Sequence, residues 1–497
     1  MRTRSATEAL RDFTATSLDE AIDRAGRIDS REAALALFRD VAERVPAYGA
    51  FVREKGIDPA KVARFEDFER LPLVDKPGYV TRYELAARCW DGKLAACDRV
   101  SVSSGSTGQP TFWPRALADE LVVARRFEQV FVDAFRAHER STLAVICFPL
   151  GTWVGGIYTS SACRHLASLR GMPITTVTPG NQKDEILRVA FGLGPMFEQT
   201  VLLGYPPFLK EVVDLARARG LDLAKLSPKL VLAGEVVTEE WRTLVAERLG
   251  GADVLTSFAS LYGTADAGVL GVETPLAIAL RRFFAARPEE SRALFGAPRM
   301  PTLVQYDPTA RFFETRGGTL LFSGDGGAPL VRYHIADEGG LFGYDELVAR
   351  AAKLGFDPAV VRASGAPEPR RQPFAYVFGR SHFVVSFFGA NIYPENVAVG
   401  LEQPGVREHV TGKFVLSARE TADRDRVLAL AVELAPGVTA TKALREAIAA
   451  SVATHVARLN SEFAGYVPEE RKVPEVDLRA AADPELFPAG VKHRYTR

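Results

Sequence analysis

Apolar positions recur at helical spacing along the first seventy residues. Ala33-Ala34-Leu35-Ala36-Leu37-Phe38 is followed by Val41 and Val45, and residues 1–70 are therefore expected to be mostly helical. Leu71-Pro72-Leu73-Val74-Asp75-Lys76-Pro77 interrupts this with two prolines, which a helix interior does not accept. From about residue 99 the stripe gives way to short, continuous apolar runs. Arg99–Val102, Leu143–Phe148, Thr200–Gly204 and Leu230–Gly234 read as strands, the last three buried on both faces. Thr238 is a helix cap with Glu239 and Glu240 in the first turn, Gly250-Gly251 stops that helix, and Val254–Phe258 resumes as a strand. Such alternation predicts an α/β domain with a mainly parallel sheet.

After residue 316 the pattern changes again. Gly317–Phe322 and Pro329–Tyr333 suit strands paired around a glycine-rich turn, a β-subdomain, and Gly365–Pro373 reads as a surface loop. Near the end, Lys413–Leu416 and Val427–Val432 suit a hairpin, Lys442–Leu459 a helix, and Lys472–Val476 an edge strand marked by Pro474. The expected architecture is a large N-terminal α/β domain over residues 1–378 and a small α+β domain over 379–497.

At 497 residues the chain exceeds what one core organises. Lys+Arg and Asp+Glu both total 62, so no basic field suggests a nucleic acid or an anionic membrane as partner. Cys89, Cys97, Cys147 and Cys163 show no C-x-x-C spacing, which leaves no sign of a zinc or redox motif. No uncharged apolar stretch approaches the 18 or so residues of a membrane span, and the first residues lack a signal-peptide core. A cytoplasmic protein is expected.

The chemistry starts in the loop after Arg99–Val102. Ser103-Ser104-Gly105-Ser106-Thr107-Gly108-Gln109-Pro110-Thr111 combines hydroxyl donors with glycines that let backbone N–H groups approach an anion. The Gly-Lys-Ser/Thr ending of a Walker loop is absent. By itself the segment could be a polar turn. Ser260-Leu261-Tyr262-Gly263-Thr264-Ala265-Asp266-Ala267-Gly268 places an aromatic, a hydroxyl and a carboxylate after a strand, where open α/β sheets bind ligands. Three further groups follow: Pro329–Asp337, Phe378-Gly379-Arg380-Ser381-His382, and Gly490-Val491-Lys492-His493-Arg494-Tyr495.

Taken in order, these segments resemble the adenylate-forming acyl-CoA synthetases, specifically the phenylacetate–CoA ligase branch. Leu71–Lys76 resembles that branch's Leu-Pro…Lys segment, and Gly234-Glu235-Val236-Val237-Thr238-Glu239-Glu240-Trp241-Arg242 its Gly-Ala-Glu-Pro-x-Thr-Glu-x-x-Arg segment. The resemblance runs from about residue 70 to the end.

The resemblance implies ATP-dependent activation of a carboxylic acid, aromatic or arylacetic, to an acyl-adenylate with loss of pyrophosphate, followed by transfer to coenzyme A. A carrier-protein phosphopantetheine or an amine is an alternative acceptor, and a nucleotide-binding protein without catalysis a more distant one. Ser103, Ser104, Gly105, Ser106, Thr107 and Gly108 would hold the β- and γ-phosphates. Gly234 and Glu235 would contact adenine, with Tyr262 and Gly263 beside it, and Thr264 the α-phosphate. Asp266 would hold Mg²⁺, although the family usually has Glu there. Asp337 would accept the ribose hydroxyls, Arg380 would reach the nucleotide from the domain junction, and Lys492 would be the catalytic lysine of a mobile C-terminal lid. His382 stands where the family has Asp or Lys as a hinge. Phe148, Trp153, Gly155 and Tyr158, with Phe258 and Ala259, are candidates for the acyl pocket.

Overall fold

The computed structural model describes residues 5–103, 111–297, 300–380, 384–487 and 495–496. The chain divides into two compact units, one formed by residues 1–102, 112–204 and 212–379, the other by 103–111, 205–211 and 380–497.

The first unit opens with helices, as the apolar stripe predicts: α1 (Ala6–Ala15), α2 (Leu18–Arg27), α3 (Ser30–Arg44) and α4 (Pro46–Glu54). Ser5 and Ser17 each form a reciprocal capping box with the glutamate three residues on, Glu8 and Glu20. The Leu71–Lys76 segment then binds the sheet. Val74 N–H donates to the Arg332 carbonyl at 3.1 Å, and His334 N–H donates back to the Val74 carbonyl at 2.8 Å. The buried Arg332 guanidinium also donates to the carbonyls of Glu69 and Leu71.

Beyond the short pair β1 (Arg99–Ser103) and β2 (Thr111–Arg115), the strands of the first unit are β3 (Thr142–Ile146), β4 (Ile174–Val177), β5 (Gln199–Gly204), β6 (Pro228–Ala233), β7 (Phe258–Thr264), β8 (Gly268–Val272), β9 (Thr302–Gln305), β10 (Phe312–Arg316), β11 (Thr319–Gly324), β12 (Leu330–Phe342) and β13 (Phe374–Arg380). Among the described residues they make one sheet in the order β10-β11-β12-β13-β9-β8-β7-β6-β5-β3-β4. From β4 to β7 all neighbours are parallel, and the crossovers carry helices. At β7–β8 the direction reverses, and the pairs β7–β8, β8–β9 and β9–β13, like β10–β11–β12, are antiparallel. This is the α/β class expected, with the β-subdomain fused onto the parallel half.

Two sequence expectations shift. The strand foreseen from Val254 begins at Phe258, because the Asp253 carboxylate accepts from the N–H groups of Leu255 and Thr256 and closes a turn there. The strand expected over Pro329–Tyr333 runs on to Phe342 as β12 and takes in Asp337. That strand carries bulges at Arg332 (φ 50°) and Ala336 (φ 65°), with matching register shifts against β11.

The helices that follow in the first unit include α5 (Leu117–Asp133), α6 (Val154–Arg170), α7 (Glu239–Arg248) and α8 (Pro275–Ala285). Thr238 caps α7, its Oγ1 accepting from Trp241 N–H at 3.1 Å. Thr238→Ala should cost about 1 kcal/mol, read as a lower urea midpoint; an unchanged midpoint would refute the cap.

In the second unit Val410–Glu420 and Arg426–Leu434 form the expected hairpin, Lys442–Leu459 is a helix, and Glu475–Arg479 adds a parallel edge strand to Arg426–Leu434. Pro474 falls just outside that strand, which consequently starts later than the sequence suggests.

Candidate active site

β6 and β7 are parallel neighbours with Ala233 beside Leu261, so the turn Gly234-Glu235 leaves the sheet next to Tyr262. Gly234 has φ 85°, a backbone that suits glycine. Tyr262, Gly263 and Thr264 end β7, and Asp266 sits in the tight connection to β8, where the Thr264 hydroxyl accepts from Ala267 N–H at 3.2 Å.

Two crossed hydrogen bonds tie this corner to β12. Tyr262 Oη donates to Asp337 Oδ2 at 2.7 Å, and Tyr333 Oη donates to Asp266 Oδ2 at 2.6 Å. All four residues are buried. Each strand segment supplies one tyrosine and, four residues later, one aspartate. The bulge at Ala336 turns Asp337 toward Tyr262. Each carboxylate oxygen can accept more than one hydrogen bond. The connection itself is gripped by its backbone: Arg115 Nη2 donates to the carbonyls of Ala265 (2.6 Å) and Asp266 (2.9 Å), and Arg311 Nη2 to that of Ala267 (3.0 Å).

A buried ion cluster supports the same corner from below. Arg242 Nη2 reaches both Glu273 oxygens at 2.8 and 2.9 Å, and Arg281 Nη1 reaches Glu273 at 2.9 Å. Glu239 lies 3.2 Å from Arg242 and 3.3 Å from Arg281. Glu273 also accepts from Ser260 N–H, and Arg281 donates to the Val237 carbonyl at 2.7 Å. Burial pushes the Glu273 carboxyl up, but Arg242 and Arg281 outweigh it and hold it below the usual carboxylate range. Glu239 and Arg242 of the Gly-Ala-Glu-like segment therefore act in the core, fixing the turn that presents Gly234 and Glu235.

The acyl-pocket candidates separate. Val102 N–H donates to the Thr152 carbonyl at 3.0 Å, which sets Trp153, the residue capping α6, beside the strand that leads to Ser103. Gly155 and Tyr158 lie in the first turns of α6, and Tyr158 lines a small void with Asp266, Arg115 and Arg311. Burial raises the Tyr158 hydroxyl above its ordinary range, so it stays a neutral donor. Phe148 is buried just beyond β3. Phe258 and Ala259 are fully buried within the sheet, Phe258 with the Arg242 guanidinium 5.7 Å from its ring.

Ser103 ends β1 and is buried. Arg380 ends β13. Ser104, Gly105, Ser106, Thr107, Gly108, His382 and Lys492 lie outside the described residues. Arg115, Arg311, Glu273 and Arg281 were not singled out by sequence reasoning, and no motif marks them; Tyr333 stood in a quoted segment without a role.

No family model matches the chain. A phenylacetate–coenzyme A ligase from Thermus thermophilus is 25% identical over 374 residues, 74% of each chain. A solved 2-hydroxyisobutyryl-CoA ligase, in complex with 2-hydroxyisobutyryl-AMP and coenzyme A in the thioesterification state, superposes with a TM-score of 0.65 at 17% identity, covering 94% of this chain and 89% of that one. The same ligase in its postadenylation state gives 0.52 at 16% identity, covering 98% and 91%. The fold is thus that of the adenylate-forming acyl-CoA ligases, and the sequence resembles their phenylacetate–CoA ligase branch.

Proposed function

We propose that this protein activates a small carboxylic acid, aromatic or arylacetic, with ATP to an acyl-adenylate and pyrophosphate, and passes the acyl group to the thiol of coenzyme A. The observation that carries this reading is the crossed pair Tyr262–Asp337 and Tyr333–Asp266 at the reversal point of the sheet. It brings the buried Asp337 of β12 to the end of β7, where Tyr262 and Asp266 stand, and strand ends are where open α/β sheets take nucleotides.

A carboxylate resists nucleophiles because oxide is a poor leaving group; adenylation replaces it with AMP. One substrate carboxylate oxygen attacks the α-phosphorus, and the bond to the pyrophosphate oxygen breaks. In this reading Asp337 accepts the ribose hydroxyls through charge-assisted bonds. Tyr262 and the Gly234-Glu235 turn flank adenine, and Thr264 donates to the α-phosphate. Ser103–Gly108 grip the β- and γ-phosphates. Asp266, already oriented by Tyr333, is a single carboxylate; that suits Mg²⁺, which prefers water and phosphate oxygens for its remaining positions and would neutralise the leaving pyrophosphate. Trp153, Gly155, Tyr158 and Phe148 would surround the acid. Residues 379–497, with Arg380 at the junction and His382 as hinge, would form the lid bearing Lys492.

Tyr333→Phe removes the bond to Asp266 and should slow adenylation about tenfold while raising the Mg²⁺ concentration for half-maximal rate. An unaltered Mg²⁺ dependence would show that Tyr333 is only packing. The reading as a whole is tested by pyrophosphate release over a panel of carboxylic acids, with and without coenzyme A and with a phosphopantetheinylated carrier protein. Release with at least one acid, and acyl-CoA in the coenzyme A arm, is expected; no ATP turnover with any acid would overturn it.

A further inference from the structure

A cavity of about 550 Å³ lies between α1–α3 and the amino-terminal part of α5, closed below by the ends of β10 and β11. Its volume falls in the range of small-molecule pockets, about 300–1,000 Å³. Of the residues lining it, Arg311 is shared with the candidate active site, where its Nη2 holds the Ala267 carbonyl. Its walls are apolar and made roomy by small side chains: Ala9 and Phe13 from α1, Ala25 from α2, then Ile28, and Leu121 and Val122 from α5.

The charged groups at this cavity are mostly satisfied within the protein. Asp12 pairs with Arg24 at 2.7 Å, Asp91 with Arg44 at 2.8 Å, and Asp307 with Arg126 at 3.5 Å. Arg125 pairs with Glu128, and Arg311 donates to the carbonyls of Ala310, Asp325 and Ala267. Asp325 differs. Its Oδ1 accepts from Trp90 Nε1 (3.2 Å) and Gly326 N–H (2.7 Å), both neutral donors, and among the described residues no ion pair reaches it. Protein surrounds it, yet the residue remains exposed, because its free surface opens on the cavity.

We infer that this cavity binds a small organic cation, an ammonium carried on an apolar body, with the ammonium against Asp325 and the body along the alanine walls. Of the cations lining the cavity, Arg24, Arg44, Arg125 and Arg126 each pair with a carboxylate and Arg311 is held by backbone carbonyls, while Lys93 is exposed. Burial raises the Asp325 carboxyl to about 6, with Asp119 adding to the rise and Gly326 N–H, Arg311 and Trp90 opposing it. The group is therefore ionised at pH 7.5, and it offers a cation a charge that no ion pair among the described residues compensates. The site is independent of the adenylation reading and would stand if that reading failed.

The test is calorimetric titration of the full chain at pH 7.5 with hexylammonium, hexanol and hexanoate, which share a chain length and differ in head group. Hexylammonium should bind saturably at one site and more tightly than either analogue. Asp325→Asn keeps an acceptor for Trp90 and Gly326 but loses the charge, and should weaken hexylammonium about ten- to a hundredfold. Ala25→Leu, which fills the cavity and leaves Asp325 in place, should also abolish binding. Hexylammonium that fails to saturate, is unaffected by both substitutions, or binds no better than hexanoate would overturn the proposal.

Discussion

Lys492→Ala should reduce ATP–pyrophosphate exchange by at least about 10²–10³-fold, with the circular dichroism spectrum and the unfolding midpoint unchanged. Adenylation drives a carboxylate onto a polyphosphate, so the barrier is dominated by repulsion between anions. A fixed cation that meets the developing charge stabilises the transition state more than the ground state. Lys492 is placed in this role by the resemblance, within Gly490-Val491-Lys492-His493-Arg494. The chain just beyond it is anchored: Leu416 N–H donates to the Tyr495 carbonyl at 2.8 Å, and the Tyr495 ring lies 4.9 Å from that of Phe414. Loss of the lysine should therefore leave the second unit folded. Normal exchange in the variant would remove Lys492 from the mechanism.

The second large effect concerns stability. Glu273→Ala leaves Arg242 and Arg281 buried with only Glu239 as counter-charge. Breaking a buried pair by removing one partner typically costs about 3–5 kcal/mol, and Glu273 serves two arginines and the Ser260 N–H. Urea unfolding should show the loss as a much lower midpoint, and a change below about 1 kcal/mol would refute the clasp. The pH dependence has a defined sign. Because the Glu273 carboxyl is held below its unfolded value, its contribution is complete at neutral pH and disappears as pH falls through the lowered pKa. Wild type and variant should therefore converge in acid.

The sequence patterning located the parallel strands well, because Leu143–Ile146, Thr200–Gly204 and Leu230–Ala233 are buried on both faces and need apolar side chains throughout. It misjudged the start of β7, where an aspartate turn overrides β-branched propensity. The position of Asp337 within β12 could not be read, since the bulge at Ala336 depends on register against β11 and not on residue type. Motif resemblance found both aspartates of the crossed pairs and one tyrosine. It missed the donor partnership of Tyr333, which appears only when β7 and β12 converge. Glu273 lies 31 residues from Arg242 in the chain, and no local pattern links such a pair. Asp325 escaped for the same reason: a loop aspartate acquires its character from the cavity around it.

The grip of Arg115 and Arg311 on the carbonyls of Ala265, Asp266 and Ala267 bears on which side chains this corner tolerates. Carbonyls are common to all residue types, so these three bonds hold the loop without drawing on the side chain at position 266. These bonds would be kept whether position 266 carries aspartate, as here, or the glutamate that the resemblance leads one to expect. Such a backbone-held connection can present either carboxylate, the two differing in reach by a methylene, from the same scaffold.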